Sequence, residues 1–152
     1  VEIGGFNPKF FSQNGPPEVL EKWAHNQAMF NLYMAMSLPQ VEIVDVKVAA
    51  AKASKDSATH EIRVTVRNTG RLPTALEQAK KIKIVQPDRI VADFGRGSGS
   101  RAIGRPPEFW LGGGETKTIT LRVKAGSAET DRKATLKLLS TRGGVAERAV
   151  TW

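Results

Sequence analysis

The hydrophobic pattern of this 152-residue chain changes its period at Pro39. Before Pro39, large apolar residues recur at spacings of three, four and seven, which is typical of a helix. After Pro39, apolar and polar residues alternate, which is typical of strands with one buried face. Because a proline pushes the preceding residue out of the helical region, Pro39 is predicted to end the helix. The sequence therefore predicts two regions, residues 1–39 and residues 40–152.

The first region is predicted to contain one long helix. The stretch Asn14–Glu18 predicts its start, with Asn14 as the capping residue, a proline in the first turn and an acid near the positive end of the dipole. The helix is predicted to run to about Ser37. Its two apolar rows are Leu20, Trp23, Ala24, Phe30 and Met34, and Met29, Tyr33 and Met36. A helix that is apolar on two sides is expected to pack between two bodies, and its self-association is expected if one body is missing.

Residues 40–152 predict a mainly β domain, an immunoglobulin-like β-sandwich of about seven strands. Turn-forming residues separate the alternating segments, for example at Asn68-Thr69-Gly70 and at Pro87-Asp88. The pattern predicts no helix in this region. The strand predictions rest on alternation at Val44 to Val48, Ile62 to Val66, Ile82 to Ile84, Ile119 to Val123, Leu136 to Leu138 and Val145 to Trp152.

Composition limits the possible partners and cofactors. The net charge is +8, but the basic residues are spread over alternating segments without interleaved aromatics, which argues against nucleic acid as a partner. The sequence has no apolar run long enough for a membrane span, so no membrane partner is predicted. With no cysteine and only two histidines, the chain offers no set of ligands spaced for a metal. It starts at Val1 without a targeting peptide, which predicts that an earlier part was removed.

One aromatic residue and three arginines form the candidate contact surface. Trp110 could be an exposed platform for sugar rings or another chain, or a buried plug at the start of the next strand. Arg96, Arg101 and Arg105 form the only basic cluster in the sequence. These four residues leave open an alternative function for the sandwich, as an adhesion or carbohydrate-binding module of an exported protein.

The stretch Val1-Glu2-Ile3-Gly4-Gly5, followed by an Asn-Pro loop and by a helix ending at Leu38-Pro39, resembles the end of the catalytic domain of carboxypeptidase A-like zinc metallocarboxypeptidases. In that family, a strand with a glutamate between two hydrophobic residues delivers the catalytic acid, and a long helix closes the domain. Bacterial members often continue into a β-sandwich, and Asn68–Thr74 resembles the strand-turn sequence of such appended domains.

The resemblance implies that Glu2 is the general acid/base of a parent enzyme that hydrolyses C-terminal residues from peptides. It also implies that the zinc ligands, a HxxE pair and a later His, lie upstream of Val1. Residues 1–39 would then be the remnant of the catalytic domain, and residues 40–152 an accessory domain. The expected partners are the rest of the catalytic domain and the peptide substrate of the parent, in a periplasmic or secreted location. The chain by itself is expected to bind no zinc and to be inactive.

Overall fold

A computed structural model of the chain describes residues 4–5, 15–50, 59–126 and 132–152. The chain divides into two compact units, Val1–Ser37 and Leu38–Trp152. Glu2, the predicted acid/base, lies outside the described residues.

The helix α1 of the first unit spans Pro17–Met36. Pro16 occupies the N-cap position and provides no side-chain hydrogen bond, while Asn14, the predicted cap, lies outside the described residues. At the other end, the Ser37 hydroxyl donates a hydrogen bond to the Tyr33 carbonyl at 2.8 Å. The same carbonyl accepts a hydrogen bond from the Ser37 backbone N–H at 3.1 Å, so Ser37 binds the last turn through both its main chain and its side chain. The predicted long helix before Pro39 is therefore confirmed.

The second unit contains two four-stranded antiparallel sheets. Sheet A has the order β1-β2-β6-β4 and sheet B has the order β5-β3-β7-β8. The elements are β1 (Val41–Ala50), β2 (Thr59–Asn68), α2 (Glu77–Lys81), β3 (Asp88–Asp93), β4 (Arg101–Ile103), β5 (Glu108–Phe109), β6 (Thr116–Lys124), β7 (Lys133–Ser140) and β8 (Gly144–Thr151).

The hydrophobic core takes alternate residues from the central strands of both sheets. Because successive side chains of a strand point to opposite faces, every second apolar residue can face the core. The fully or nearly fully buried members of this cluster include Ile62, Val64, Val66, Ile90, Leu121, Val123, Leu136 and Leu138. The predicted fold class, a mainly β sandwich after one long helix, is confirmed.

The strand predicted at Ile82 to Ile84 is wrong. The preceding residues form the short helix α2, and Ile82 and Ile84 are 55% and 67% exposed. This segment satisfies helix rules instead, because Glu77 lies in the first turn and two lysines lie in the last turn. Only Ala79 of α2 is buried, where it packs with Ala75 and Val85.

The sequence pattern also missed β3, because it read Pro87-Asp88 as a turn. Asp88 begins the strand and is buried, and its Oδ2 accepts a hydrogen bond from the Thr74 hydroxyl at 2.5 Å. The same hydroxyl accepts a bond from the Leu111 backbone N–H at 3.1 Å. A buried carboxylate needs such a donor, and the donor lies 14 residues away in the chain. Local turn rules could not anticipate this strand.

A β-bulge in β1 changes the predicted position of Val44. The pairing with β2 shifts between Ile43 and Asp45, so Val44 is the extra residue and is 47% exposed. The Arg148 side chain of β8 donates hydrogen bonds to the carbonyls of Val44, at 2.8 Å, and Ile43, at 3.4 Å. The guanidinium thus satisfies carbonyls at the irregularity, while Val46 and Val48 still pack against the core.

Candidate functional site

Trp110 follows β5 and is partly buried. Its side chain packs against the small cluster of Ala75, Ala79 and Val85. The ammonium of Lys80 lies 5.8 Å from the centroid of the ring, which is within the range of a cation–π interaction. Trp110 also lines a pocket of about 530 Å³. Trp110 is therefore neither the fully exposed platform nor the fully buried plug that the sequence allowed. Part of its side chain packs in a local cluster, and part of its surface lines a pocket.

Two ion pairs border this Trp110 pocket. Lys117 pairs with Glu115 at 3.1 Å and donates a hydrogen bond to the Trp110 carbonyl at 2.6 Å. Lys80 pairs with Glu77 at 2.5 Å. Each lysine therefore has a carboxylate beside it, and the pocket wall carries balanced charge.

Glu115 forms a hydrogen bond within the turn of residues 112–115, which borders the Trp110 pocket. Its Oε2 accepts a hydrogen bond from the Gly112 backbone N–H at 2.6 Å. This bond, followed by the interaction with Lys117, lowers the pKa of Glu115 from the ordinary value of 4.5. Both interactions favour the charged carboxylate, so they stabilise the folded state only while Glu115 is ionised.

We expect Glu115→Gln to reduce the acid sensitivity of the fold. A carboxylate whose pKa is lower in the folded state than in the unfolded state stabilises the fold when the pH is above the unfolded-state pKa. This stabilisation is lost as the pH falls through the folded-state pKa. When the pH is lowered from about 6 to about 3, the melting temperature should therefore decrease less for Glu115→Gln than for the original protein. Thermal unfolding followed by circular dichroism measures this difference. Glu42→Gln, at an exposed position of β1, is the control; an equal change in both variants would contradict the prediction.

A second concave surface lies where the chain crosses from sheet A to sheet B. Residues 104–107 connect β4, which pairs with β6, to β5, which pairs with the first two residues of β3. A groove of about 300 Å³ lies here, and we call it the crossover groove. It is lined by residues 90–92 of β3, residues 102–107 and residues 120–122 of β6.

Basic side chains border the crossover groove. Arg105 and Arg122 belong to its lining. In the pairing of β4 with β6, Arg101 lies opposite Lys124, and Ile103 lies opposite Arg122. Arg101 and Ile103 are two residues apart, so they share the outer face of sheet A with their two basic partners. The groove edge therefore carries four cations: Arg101, Arg105, Arg122 and Lys124.

No acid forms an ion pair with these four cations within the part of the chain that the structure describes. The nearest acid in the sheet is Glu61, the cross-strand neighbour of Arg122, but Glu61 pairs with Arg63 at 3.0 Å. On sheet B, Lys137 is paired with both Asp93 and Glu147. The border of the crossover groove therefore carries four cations that have no acidic partner among the described residues.

The structure divides the predicted contact residues into three groups. Arg101 and Arg105 lie beside the groove, Arg96 is exposed in the segment between β3 and β4 but does not line the groove, and Trp110 lines the other pocket. The sequence pattern missed Arg122 and Lys124, which it assigned only to a solvated face. Their alternation with Leu121 and Val123 shows that they share a face, but only the register with β4 brings them beside Arg101.

The described residues contain no group of side chains that fits zinc, the metal that the resemblance implies for the parent enzyme. Over residues 4–5, 15–50, 59–126 and 132–152, no three His, Asp or Glu side chains are grouped so that they could hold a metal ion. Among the helices in these ranges, none is long and apolar enough to cross a membrane.

Comparison with known families gives one match. Residues 40–151 match the model of a family described as a domain of unknown function, DUF8731. A search of curated proteins finds no match. The matched residues cover the sandwich, including both the Trp110 pocket and the crossover groove.

Proposed function

We propose a role for this chain, which belongs to the DUF8731 family of unknown function, from its own residues. Residues 40–152 are the non-catalytic accessory domain of a zinc carboxypeptidase. Residues 1–39 are the last strand and the closing helix of its catalytic domain. The parent enzyme removes C-terminal residues from peptides, and Glu2 is its general acid/base.

The observation that carries this proposal is the exposure of α1. No residue of the helix is buried, and large apolar side chains are exposed on both of its predicted apolar rows. Trp23 and Phe30 of the first row and Met29 and Tyr33 of the second row are each more than half exposed. An isolated helix of this length is marginal in water, and C-terminal turns that are apolar nearly all round, as in α1, belong in a protein interior. The catalytic domain is the body that covers these side chains in the proposed enzyme.

Three carboxylates of the sandwich behave as structural surface charges. Asp93 has a lowered pKa, first because it accepts a hydrogen bond from the Gly95 N–H and then because it lies beside Lys137. Glu77 and Glu115 also have lowered pKa values, with lysine or backbone donors as the main causes. General acid/base catalysis near neutral pH requires a pKa close to the working pH. These carboxylates are shifted away from that range, as expected for structural surface pairs.

The proposal predicts that the coding region upstream of Val1 contains a HxxE motif and a later His. In the longer protein, Glu2→Gln should lower kcat/KM for release of a C-terminal residue by about 10²- to 10⁴-fold, because the general acid/base is lost. Hydrolysis of a chromogenic peptide measures this effect, and equal zinc content in both proteins separates loss of catalysis from loss of metal.

Glu18→Gln is the matched control, since Glu18 is an exposed carboxylate in the first turn of α1. It should retain the rate of the original enzyme. An upstream region without HxxE, or a Glu2→Gln enzyme with the original rate, would contradict the proposal.

A further inference from the structure

The crossover groove lies beside unpaired strand edges. Among the residues that the structure describes, β5 pairs only with Asp88 and Arg89, so residues 91–93 of β3, which are partly or fully exposed, have a strand neighbour only on the β7 side. In the same described part, β4 pairs only with residues 122–124, so Thr120 and Leu121 of β6 extend beyond it without a strand neighbour on that side. Such edges present unsatisfied N–H and C=O groups, which can pair with an added strand.

The inner face of the sandwich is open at this position. Ala102 lies opposite the buried Val123 in the β4–β6 pairing and therefore belongs to the inner face of sheet A. It is nevertheless exposed. The buried side chains Ile90 and Leu121 also contribute to the groove lining. The groove thus combines an apolar lining, unpaired main-chain groups and a basic border.

We propose that the crossover groove binds an extended acidic peptide segment of a partner protein. The segment adds to the unpaired edge of β3 and forms main-chain hydrogen bonds with residues 91–93. Its apolar side chains contact the exposed groove residues Ala102 and Ile103, and its carboxylates face Arg105 and Arg122. Arg101 and Lys124 extend the complementary charge along the outer face of sheet A. This inference is independent of the proposed peptidase activity.

Two observations favour a peptide over other polyanions. The groove lining contains no aromatic side chain on which a sugar ring or a base could stack. The main-chain edge of β3, in contrast, matches the main-chain spacing of another strand. Acidic oligosaccharides and single-stranded nucleic acids would use the cations but not this edge.

The test measures fluorescence anisotropy of the whole chain with labelled hexapeptides. The probes are an alternating Val-Glu peptide, the same peptide with N-methylated alternate amides, an alternating Val-Lys peptide, a sulfated oligosaccharide and a short oligonucleotide. We expect the Val-Glu peptide to bind at least about tenfold more tightly than every other probe, since only it offers both carboxylates and strand-pairing groups. Backbone amide signals of residues 91–93 should shift in ¹H–¹⁵N spectra when it binds.

Charge reversal at the groove provides the second comparison. Arg105→Glu combined with Arg122→Glu should weaken binding of the Val-Glu peptide by at least about tenfold. Both residues are exposed, so circular dichroism should show an unchanged fold. Lys81→Glu combined with Lys133→Glu reverses two exposed charges that do not line the groove and should leave affinity within about twofold.

Four outcomes would overturn the inference. The N-methylated peptide would bind as tightly as the unmodified peptide if charge alone acts. The oligosaccharide or oligonucleotide would bind more tightly if the cations serve another polyanion. Absence of binding by the Val-Glu peptide, or binding that both double variants weaken equally, would contradict a peptide site in this groove.

Discussion

Asn68→Ala should lower the free energy of unfolding by about 3–5 kcal/mol. Asn68 is the last residue of β2 and is 0% exposed. Its Oδ1 accepts hydrogen bonds from the backbone N–H groups of Gln40, at 3.0 Å, and Gly70, at 3.1 Å. Its Nδ2 donates to the carbonyls of Leu72, at 2.8 Å, and Gly112, at 2.9 Å.

These four bonds join three segments that are distant in the sequence: the entry to β1, the turn after β2 and the loop before β6. Alanine would remove the Asn68 partner of two backbone N–H groups and of the Leu72 carbonyl, while the Gly112 carbonyl keeps its bond from the Glu115 N–H at 3.2 Å. Each group left unsatisfied costs about 1–3 kcal/mol when it stays dry. Partial hydration of these backbone groups reduces the total cost in free energy of unfolding. Urea unfolding followed by tryptophan fluorescence measures the change.

Two further variants at and beside this position test the explanation. Thr69→Ala removes an exposed hydroxyl that donates to the Gln40 carbonyl at 3.2 Å, and it should cost less than about 1 kcal/mol. Asn68→Asp retains both accepted bonds but loses both donated bonds, and it directs negative charge at the carbonyls of Leu72 and Gly112. It should therefore also destabilise the fold strongly. A cost below about 1 kcal/mol for Asn68→Ala would show that the network does not stabilise the sandwich.

Gly70→Ala should lower the free energy of unfolding by about 2–4 kcal/mol, because no space exists for a methyl group. A Cβ at this position would overlap the carbonyl oxygen of Leu38 and would lie 2.7 Å from the Cα of Pro39. Both are backbone atoms, so no side-chain rotation can relieve the contact. The segment is also held in place, since the Gly114 N–H donates to the Gly70 carbonyl at 3.0 Å and the Thr69 N–H donates to the Gln40 carbonyl at 2.8 Å.

Gly5→Ala is the control for Gly70→Ala. A Cβ at Gly5 meets no atom within 4 Å, so this variant should unfold within about 0.5 kcal/mol of the original protein. Urea unfolding of both variants under the same conditions gives the comparison. Equal stability of Gly70→Ala and Gly5→Ala would contradict the close approach of the two backbone segments.

Sequence periodicity predicted the regular parts of the fold because burial of one face acts locally. In β2 and β6, alternate residues such as Val64 and Leu121 are buried, as the pattern predicts, and α1 ends before Pro39. The same reasoning failed at Val44, where one extra residue changes the phase of the strand, and at Ile82 and Ile84, which look alternating but follow a helical turn. A periodic pattern contains no information about the partner strand, so it cannot locate a bulge.

Even less of the candidate site than of the fold could be predicted from the local sequence pattern. The sequence indicated the Trp110 region or the segment from Arg96 to Arg105 as a candidate contact surface, but it contained no information about their relative positions. The structure separates Trp110 from Arg101 and Arg105. Trp110 lies beside Lys80 and Lys117, whereas the two arginines lie beside Arg122. The carboxypeptidase relationship and the role of Glu2 stay predictions, because they rest on residues 1–39 and on an upstream region.

The sequence by itself determined where the helix ends, which strand faces are buried and which turn contains Asn68 and Gly70, because each follows from the chemistry of neighbouring residues. Only the tertiary structure decided what these residues do. Asn68 bonds segments 28 and 44 residues away, and Arg101 lies beside Lys124 through strand register. Hydrogen bonding between strands and close packing of backbone segments fix these positions, and they depend on pairings that are distant along the chain.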